Sequence, residues 1–319
     1  MTCVTAIGMP NPAWTILLAN QETFVHHPYL SFGHYIQQQY GEKVHKLSLN
    51  ASFTCPNRDG TKGVGGCTFC NNASFSPNAR RPDSIESQIT AGKAVIARRT
   101  GAKKFLGYFQ AYTNTYDEIS NLKRLYDRAL AMDGVVGLSV GTRPDCVPDA
   151  VLDLLRNYQD DGHEVWLELG LQSTFDDSLA RVNRGHGYAE YQDACVRARA
   201  KGLKVCTHLI VGMPGETPQD SVRSLEKVLA LGTDGVKFHP LHVVKGTQLA
   251  RSWKQGEYQP IEYEDYIQTV VKMVEMLPKD VVVHRLTGTA SDDILLAPAW
   301  CAKKWRVLNE ISDRLAMSS

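Results

Sequence analysis

From Val44 onward the chain alternates short β-rich runs with amphipathic helical stretches, and no other feature restricts its fold so strongly. The runs are Val44–Leu49, Lys104–Phe109, Val135–Val140, Glu164–Leu169, Lys204–Val211 and Gly235–Phe238. The helical stretches between them are Asp83–Arg98, Asp117–Met132, Pro148–Asp160, Tyr188–Lys201 and Pro218–Leu231. Asp117–Met132 carries Ile119, Leu122, Leu125, Tyr126, Ala129 and Leu130 at helical spacing. Pro82-Asp83-Ser84 followed by Glu86 is a helix-start signature. Strands separated by helices pair as parallel βαβ units with right-handed crossovers. Six units close either into an open sheet or into a curved, incomplete barrel, and 319 residues suit one such α/β domain with extensions.

In both architectures functional groups collect at the carboxyl ends of the strands. The unusual polar motifs of this chain all follow strands. The first run leads into Cys55-Pro-Asn-Arg-Asp-Gly-Thr-Lys-Gly-Val-Gly-Gly-Cys67-Thr-Phe69-Cys70, spaced C-x11-C-x2-C. The second leads into Gln110-Ala-Tyr112-Thr113-Asn114, and the third into Thr142-Arg143-Pro144-Asp145-Cys146. The fourth ends in Glu168-Leu-Gly170-Leu-Gln172-Ser173. The fifth contains His208-Leu-Ile210-Val-Gly212-Met-Pro-Gly215-Glu216, and the sixth Lys237-Phe-His239-Pro-Leu-His242. Polar groups at all six ends line one mouth. Three thiolates on a glycine-rich loop can hold an iron–sulfur cluster while leaving one iron without a protein ligand, because such clusters usually take four cysteines. The same three can form a structural zinc site with a fourth ligand such as His45.

The formal net charge of +1 gives no global electrostatic argument for nucleic acid or membrane. Three of the eight cysteines share one loop and five are scattered, which speaks for intracellular metal chemistry rather than a disulfide framework. No apolar run approaches the roughly 20 residues of a transmembrane helix. The amino terminus lacks the basic segment of a secretory signal, so a cytoplasmic protein is expected. Residues 1–28, interrupted by Pro10, Pro12 and Pro28, read as a weakly structured extension, residues 29–242 as the barrel and residues 243–319 as a carboxyl-terminal extension packing on it. That extension holds a helical stretch Glu262–Leu277, a β-rich run Val281–His284 and the basic aromatic cluster Trp300-Cys-Ala-Lys303-Lys304-Trp305-Arg306.

The motifs resemble those of radical S-adenosylmethionine (SAM) enzymes, of the branch near the Elongator catalytic subunit and oxygen-independent coproporphyrinogen dehydrogenase. The resemblance spans roughly residues 30–310 and rests on His45-Lys46, the three-cysteine loop, Phe109-Gln110-Ala-Tyr112-Thr113, Thr142-Arg143-Pro144-Asp145, Leu167-Glu168-Leu-Gly170-Leu-Gln172, Asn183-Arg184-Gly185-His186, His208 to Glu216 and Lys237. The commonest spacing of the superfamily is C-x3-C-x2-C, and the widened first gap is typical of this branch. The Elongator subunit's acetyltransferase domain has no counterpart, so chemistry depending on it does not carry over.

The resemblance implies an α/β fold, a partial TIM-like (β/α)6 radical SAM barrel. It implies a [4Fe–4S] cluster on Cys55, Cys67 and Cys70, shielded by Phe69, with SAM on the open iron. One-electron cleavage then yields a 5′-deoxyadenosyl radical that removes hydrogen from the substrate. Gln110, Tyr112, Thr113 and Asn114 would bind the methionine end of the cofactor, and Gln172 and Arg184 its other polar groups; Glu168, a carboxylate within an apolar strand, implies either a cofactor contact or a buried structural pair. His208, Ile210, Gly212 and Gly215 would lie along the adenine. Cys146 and Lys237 are candidate catalytic residues; Cys146 is also readable as a packed small side chain and Lys237 as part of a solvated loop. An electron donor such as flavodoxin or ferredoxin is implied. Relatedness to a wobble-uridine enzyme implies a tRNA substrate, with Lys237, Lys245, Arg251, Lys254, Lys303, Lys304 and Arg306, interleaved with Trp253, Trp300 and Trp305, as contacts. A small-metabolite substrate and a zinc-stabilised RNA-binding protein are the alternatives.

Overall fold

The computed structural model describes residues 28–71 and 83–318. The extension expected over residues 1–28 lies outside the described residues except for its last position, as does Pro82.

The six expected strands form, within three residues at their ends: β1 (Val44–Leu49), β2 (Lys104–Phe109), β3 (Val135–Thr142), β4 (Glu164–Gln172), β5 (Lys204–Val211) and β6 (Gly235–Pro240). The crossover helices are α2 (Ile85–Thr100), α3 (Ile119–Leu130), α4 (Asp149–Asp160), α6 (Tyr188–Ala200) and α7 (Pro218–Leu231). Ser84 caps α2 by accepting from the Ser87 amide, and Gly101 closes it at φ 71°. Thr217 and Asp220 form a capping box at the start of α7, where Pro218 fills the first helical position.

The sheet has seven strands, not six. After helix α9 (Tyr263–Glu275) the run expected in the tail becomes β8 (Val282–Arg285), which pairs parallel to β6 and completes the order β1-β2-β3-β4-β5-β6-β8. The tail therefore supplies a further βα unit to the half-barrel. Val281-Val-Val-His284 is too short and flanked too irregularly for its partner to be read from the sequence. A separate antiparallel pair joins β7 (Val243–Val244), just after the sixth strand, to β9 (Leu295–Ala297), beyond β8, and α8 (Gln248–Lys254) follows β7.

The main core lies between the sheet and its outer helices, with Leu49, Phe109, Tyr126, Leu155, Val211, Tyr191, Ile267 and Ile311 fully buried. Ile311 belongs to α10 (Lys304–Ser318), which the sequence reading missed because the Trp300–Arg306 cluster masks its start. A short helix, α1 (Phe32–Tyr40), was also missed. Its apolar side carries Phe32 and Tyr35 onto Trp166, Cys206 and Val282, and Ile36 onto Val44 and Leu106, and so closes the amino-terminal end of the half-barrel. The chain just before α1 runs along β8, where the Val283 amide donates to the Leu30 carbonyl at 2.8 Å.

Candidate active site

The carboxyl ends of the strands open into one cavity. The three-cysteine loop forms one wall of it, with Cys55, Cys67, Cys70, Arg58 and Phe69. Gln110, Tyr112, Thr113 and Asn114 after β2, Thr142 at the end of β3 with Arg143 after it, and Gly170 and Gln172 at the end of β4 with Arg184 beyond it line the next. His208 and Ile210 of β5, His239 of β6 with His242 after it, and Arg285 of β8 complete it.

The cysteine loop is held from β4's side. Asn57 donates to the Asn183 carbonyl at 2.5 Å, and Asn183 donates back to the Gly66 carbonyl at 2.8 Å. The Thr68 amide donates to Val182 at 2.9 Å, and the Leu249 amide of α8 donates to Thr68 at 2.9 Å. Charged donors reach the sulfurs. Arg184 Nη1 lies 3.5 Å from Cys67 Sγ while Nη2 donates to the Gly170 carbonyl at 2.6 Å. Arg143 Nη1 lies 4.0 Å from Cys55 Sγ and donates to the Arg184 carbonyl at 2.8 Å, and its other nitrogens grip Asp145 at 2.9 Å. Burial, followed by the neighbouring Cys67, pushes the Cys70 thiol up to about 11, against the pull of Arg58 and Arg184. The guanidiniums supply the charge that thiolates on a metal would need.

Several observations favour an iron–sulfur cluster over zinc. His45, the candidate fourth zinc ligand, sits near the amino-terminal end of β1, whereas the cysteine loop leaves its carboxyl end. Tetrahedral zinc–thiolate bonds of about 2.3 Å place sulfurs about 3.8 Å apart. Among the described residues the one His/Cys/Asp/Glu trio whose ligand atoms lie mutually within 4.8 Å is Glu168, Cys206 and His208, not the three cysteines. The cavity also holds buried polar atoms without a hydrogen-bond partner among the described residues: Thr113 Oγ1, Asn114 Oδ1 and Arg184 Nε. Such atoms are costly unless a ligand meets them. The donor set therefore fits a cluster together with a polar cofactor. The backbone is strained around the same cavity: Ala111, Tyr112, Gln172 and Asn183 hold φ of 88°, 62°, 83° and 51°.

Beneath the cavity lies a network that takes one side chain from every strand of the sheet. Glu168 of β4, wholly buried, accepts from Lys46 of β1 at 2.6 Å and from Ser139 of β3. Its second oxygen meets His208 of β5 at 2.7 Å and Lys237 of β6, which also donates to Tyr108 of β2 at 2.9 Å. His284 of β8 lies 2.9 Å from Lys46 Nζ. Burial alone would raise the Glu168 carboxyl, but Lys237 and then Lys46 hold it well below the usual range. Burial, then Lys237, lowers His208 to about 4, so its imidazole is neutral at pH 7.

This arrangement corrects several expectations. Lys237 is no mouth residue: it is 3% exposed and committed to Glu168 and Tyr108. Of the two readings of Glu168 the structure forms the buried pair, with Lys46 and Lys237 under the cavity rather than on its wall. Gly212 is covered by Ile261, and its carbonyl accepts from Tyr258; Gly215 packs on Arg181; neither lines the cavity. Cys146 lines a separate surface cleft with Lys62 and Asp117, and burial followed by the neighbouring Asp145 pushes its thiol up to about 12. Trp253 and Trp300 are packed, the latter donating to the Ile261 carbonyl at 3.3 Å, while Trp305 is 70% exposed. Residues the sequence reading missed include Tyr108, Ser139, His284 and Arg285; the available signal was a polar side chain on the inward side of an apolar strand. No helix among the described residues is long and apolar enough to cross a membrane.

The Radical SAM superfamily model matches residues 53–228, and the Radical SAM C-terminal domain model residues 233–317. Protein YhcC of Escherichia coli (strain K12) is 51% identical over 280 residues, covering 88% of this chain and 90% of its own length. A tRNA uridine(34) acetyltransferase of Methanocaldococcus infernus is 30% identical over 155 residues, which are 47% of this chain and 28% of that protein. Among solved structures, the archaeal Methanocaldococcus infernus Elp3 with an N-terminal deletion superposes with a TM-score of 0.62 at 20% identity, covering 84% of this chain and 63% of that one; the likeness is one of fold.

Proposed function

The chain belongs to the radical SAM superfamily, and on that premise we propose that it is a tRNA-modifying enzyme whose reaction centre is the cavity built around Cys55, Cys67 and Cys70. Radical SAM enzymes use a [4Fe–4S] cluster and SAM, and a reductant must supply the electron. The observation that carries the site assignment is the meeting, in one cavity, of three thiols, the guanidiniums of Arg184 and Arg143, and unpartnered buried atoms of Thr113, Asn114 and Arg184.

In this reading Cys55, Cys67 and Cys70 hold the cluster and leave one iron open, with Phe69 limiting water beside it. When bound, the cluster and SAM supply one-electron bond cleavage and hydrogen-atom abstraction from the substrate. The protein positions and shields that chemistry. Arg184 and Arg143 offset the negative charge of the thiolates and brace the loop. Thr113 Oγ1, Asn114 Oδ1 and Arg184 Nε are the groups free to meet the polar end of the cofactor. Gln172, turned into the cavity by its positive φ, and Ile210 face its remaining parts. Neutral His208 cannot add charge there and serves as a link between the cavity and Glu168.

The tRNA assignment is supported by the stretch shared with the tRNA uridine(34) acetyltransferase and by the exposed Trp305 beside Lys304, whose ammonium lies 5.6 Å from the indole centroid. Anaerobic reconstitution with iron and sulfide is expected to give a brown protein with about four irons, as the cluster assignment requires. Replacing Cys55, Cys67 or Cys70 by Ala is expected to abolish iron retention; full iron content in any of these variants refutes the ligand assignment. The substrate class is tested by comparing tRNA nucleosides, by mass spectrometry, from cells with and without the gene. An unchanged profile refutes the tRNA reading.

A further inference from the structure

Arg285 ends β8 on the cavity wall, and among the described residues its guanidinium makes no hydrogen bond and no ion pair. A half-buried guanidinium without a partner is an unusual thing for a fold to keep, since Arg donates in a fork that matches carboxylate and phosphate. No carboxylate among the described residues pairs with it. The nearest carboxylate of the network, Glu168, is already shared by Lys46, Lys237 and His208. Lys46 and Lys237 thus already share that one buried carboxylate, and Arg285 is paired with no carboxylate among the described residues. His239 is held neutral by burial and then by Arg285, and burial lowers His242 to about 4. Exposed Lys304 feels Arg285 as well and is itself in no ion pair. The turn after β8 fixes this group: His242 Nε2 lies 3.2 Å from the Gly288 carbonyl. A Cβ on Gly288 would come within 2.7 Å of His239 Nδ1, so that backbone rests against the imidazole.

The β6–β8 side of the cavity is therefore a polar, positively charged corner that no group among the described residues neutralises. The cysteine side has its own guanidiniums, Arg184 and Arg143, so Arg285 is not needed there. We propose that Arg285, with His239 and His242 beside it, binds an oxyanion of the substrate, a carboxylate or a phosphate group, and so fixes which part of the substrate faces the reaction centre. The inference rests on the reading of this cavity as the reaction chamber.

The test uses the full-length, reconstituted protein saturated with SAM. Labelling of Arg285 by phenylglyoxal is followed by peptide mass spectrometry, with and without inorganic phosphate or acetate at equal ionic strength. One of the two anions is expected to slow labelling of Arg285 severalfold while leaving the ion-paired Arg128 and Arg314 unchanged; which anion does so identifies the group. Labelling insensitive to both overturns the proposal. An Arg285→Gln variant is expected to keep wild-type iron content and SAM affinity; loss of SAM affinity instead assigns Arg285 to the cofactor and also overturns it. Anion protection together with an unchanged tRNA profile would remove the tRNA reading and leave the subsite standing. A changed profile without protection would do the reverse.

Discussion

The Glu168→Gln substitution probes the network under the cavity with little change of shape. In the native protein one oxygen of Glu168 faces Lys46, Ser139 and His284, and the other faces Lys237 and His208. A glutamine offers one oxygen and one NH2. Whichever way its amide turns, one lysine then faces a donor, and both lose their counter-charge. Glu168 and Lys237 are 0% and 4% exposed at the side chain, so solvent does not screen the loss. Removing one partner of a buried pair costs about 3–5 kcal/mol, which for a chain of this size lowers the unfolding midpoint on the order of 5–10 °C. The pH dependence gives a second readout. Burial lowers Lys237 and Lys46 below their ordinary 10.5, and Glu168 opposes that lowering. Without Glu168 the folded-state values drop further, and the unfolded chain binds more protons throughout the window between those values and 10.5. Stability of the variant therefore rises with pH across that window, and the gap to the native protein, widest near neutrality, narrows. In the native protein the depressed Glu168 carboxyl contributes above its ordinary 4.5, and that contribution is lost as pH falls through its folded value. Thermal unfolding by circular dichroism at neutral and alkaline pH measures both effects. Adding Lys237→Met should recover part of the loss, a coupling of roughly 1–3 kcal/mol. A Glu168→Gln protein as stable as the native one at pH 7, with no extra gain at high pH, refutes the charge argument.

Two other positions test how the backbone frames the site. Gly137 on β3 lies opposite Glu164 on β4, and a Cβ there would come within 2.0 Å of the Glu164 carbonyl oxygen. Gly137→Ala is expected to destabilise by roughly 3 kcal/mol or more, whereas Gly33→Ala in α1, with no heavy atom within 4 Å of the new Cβ, should be neutral to stabilising by about 0.5–1 kcal/mol; parallel thermal melts compare them. Gln172 holds φ 83° at the cavity edge, so Gln172→Gly should raise the unfolding midpoint through relief of about 1 kcal/mol while weakening SAM binding, measured by equilibrium dialysis. A midpoint that falls would refute the strain assignment.

The strands and helices were legible because each carries its own signal: β-rich runs bounded by Gly or Pro, and apolar residues at helical spacing. The cysteine loop was legible for the same reason, since its ligands lie within sixteen residues of one another. β8 was harder to place. Its run is visible, but whether it joins the main sheet depends on α9 crossing back to β6, which is a property of packing. The network was the least legible part. Lys46, Glu168 and Lys237 were each visible as a charge within an apolar strand, but 122 and 69 residues separate the pairs that meet. Strand-end logic places Glu168 and Lys237 near one mouth. It does not say which charges neutralise one another below it and which are left facing the cavity.

That distinction changes how the site is read. A lysine at the end of a strand looks like a substrate contact until its carboxylate partner is found, and Lys237 loses that role once Glu168 is found beside it. An arginine at the end of an edge strand looks like surface charge until no partner is found, and Arg285 gains the role that Lys237 loses. Strand position alone ranks the two alike, because it records only distance along the sheet. Charge balance separates them: Glu168, Lys46 and Lys237 form a set whose charges mostly satisfy one another and whose loss should appear in stability. Arg285 is left over, and its loss should appear in ligand binding with little change in stability. The two substitutions, measured side by side by thermal unfolding and by anion protection, should give opposite patterns.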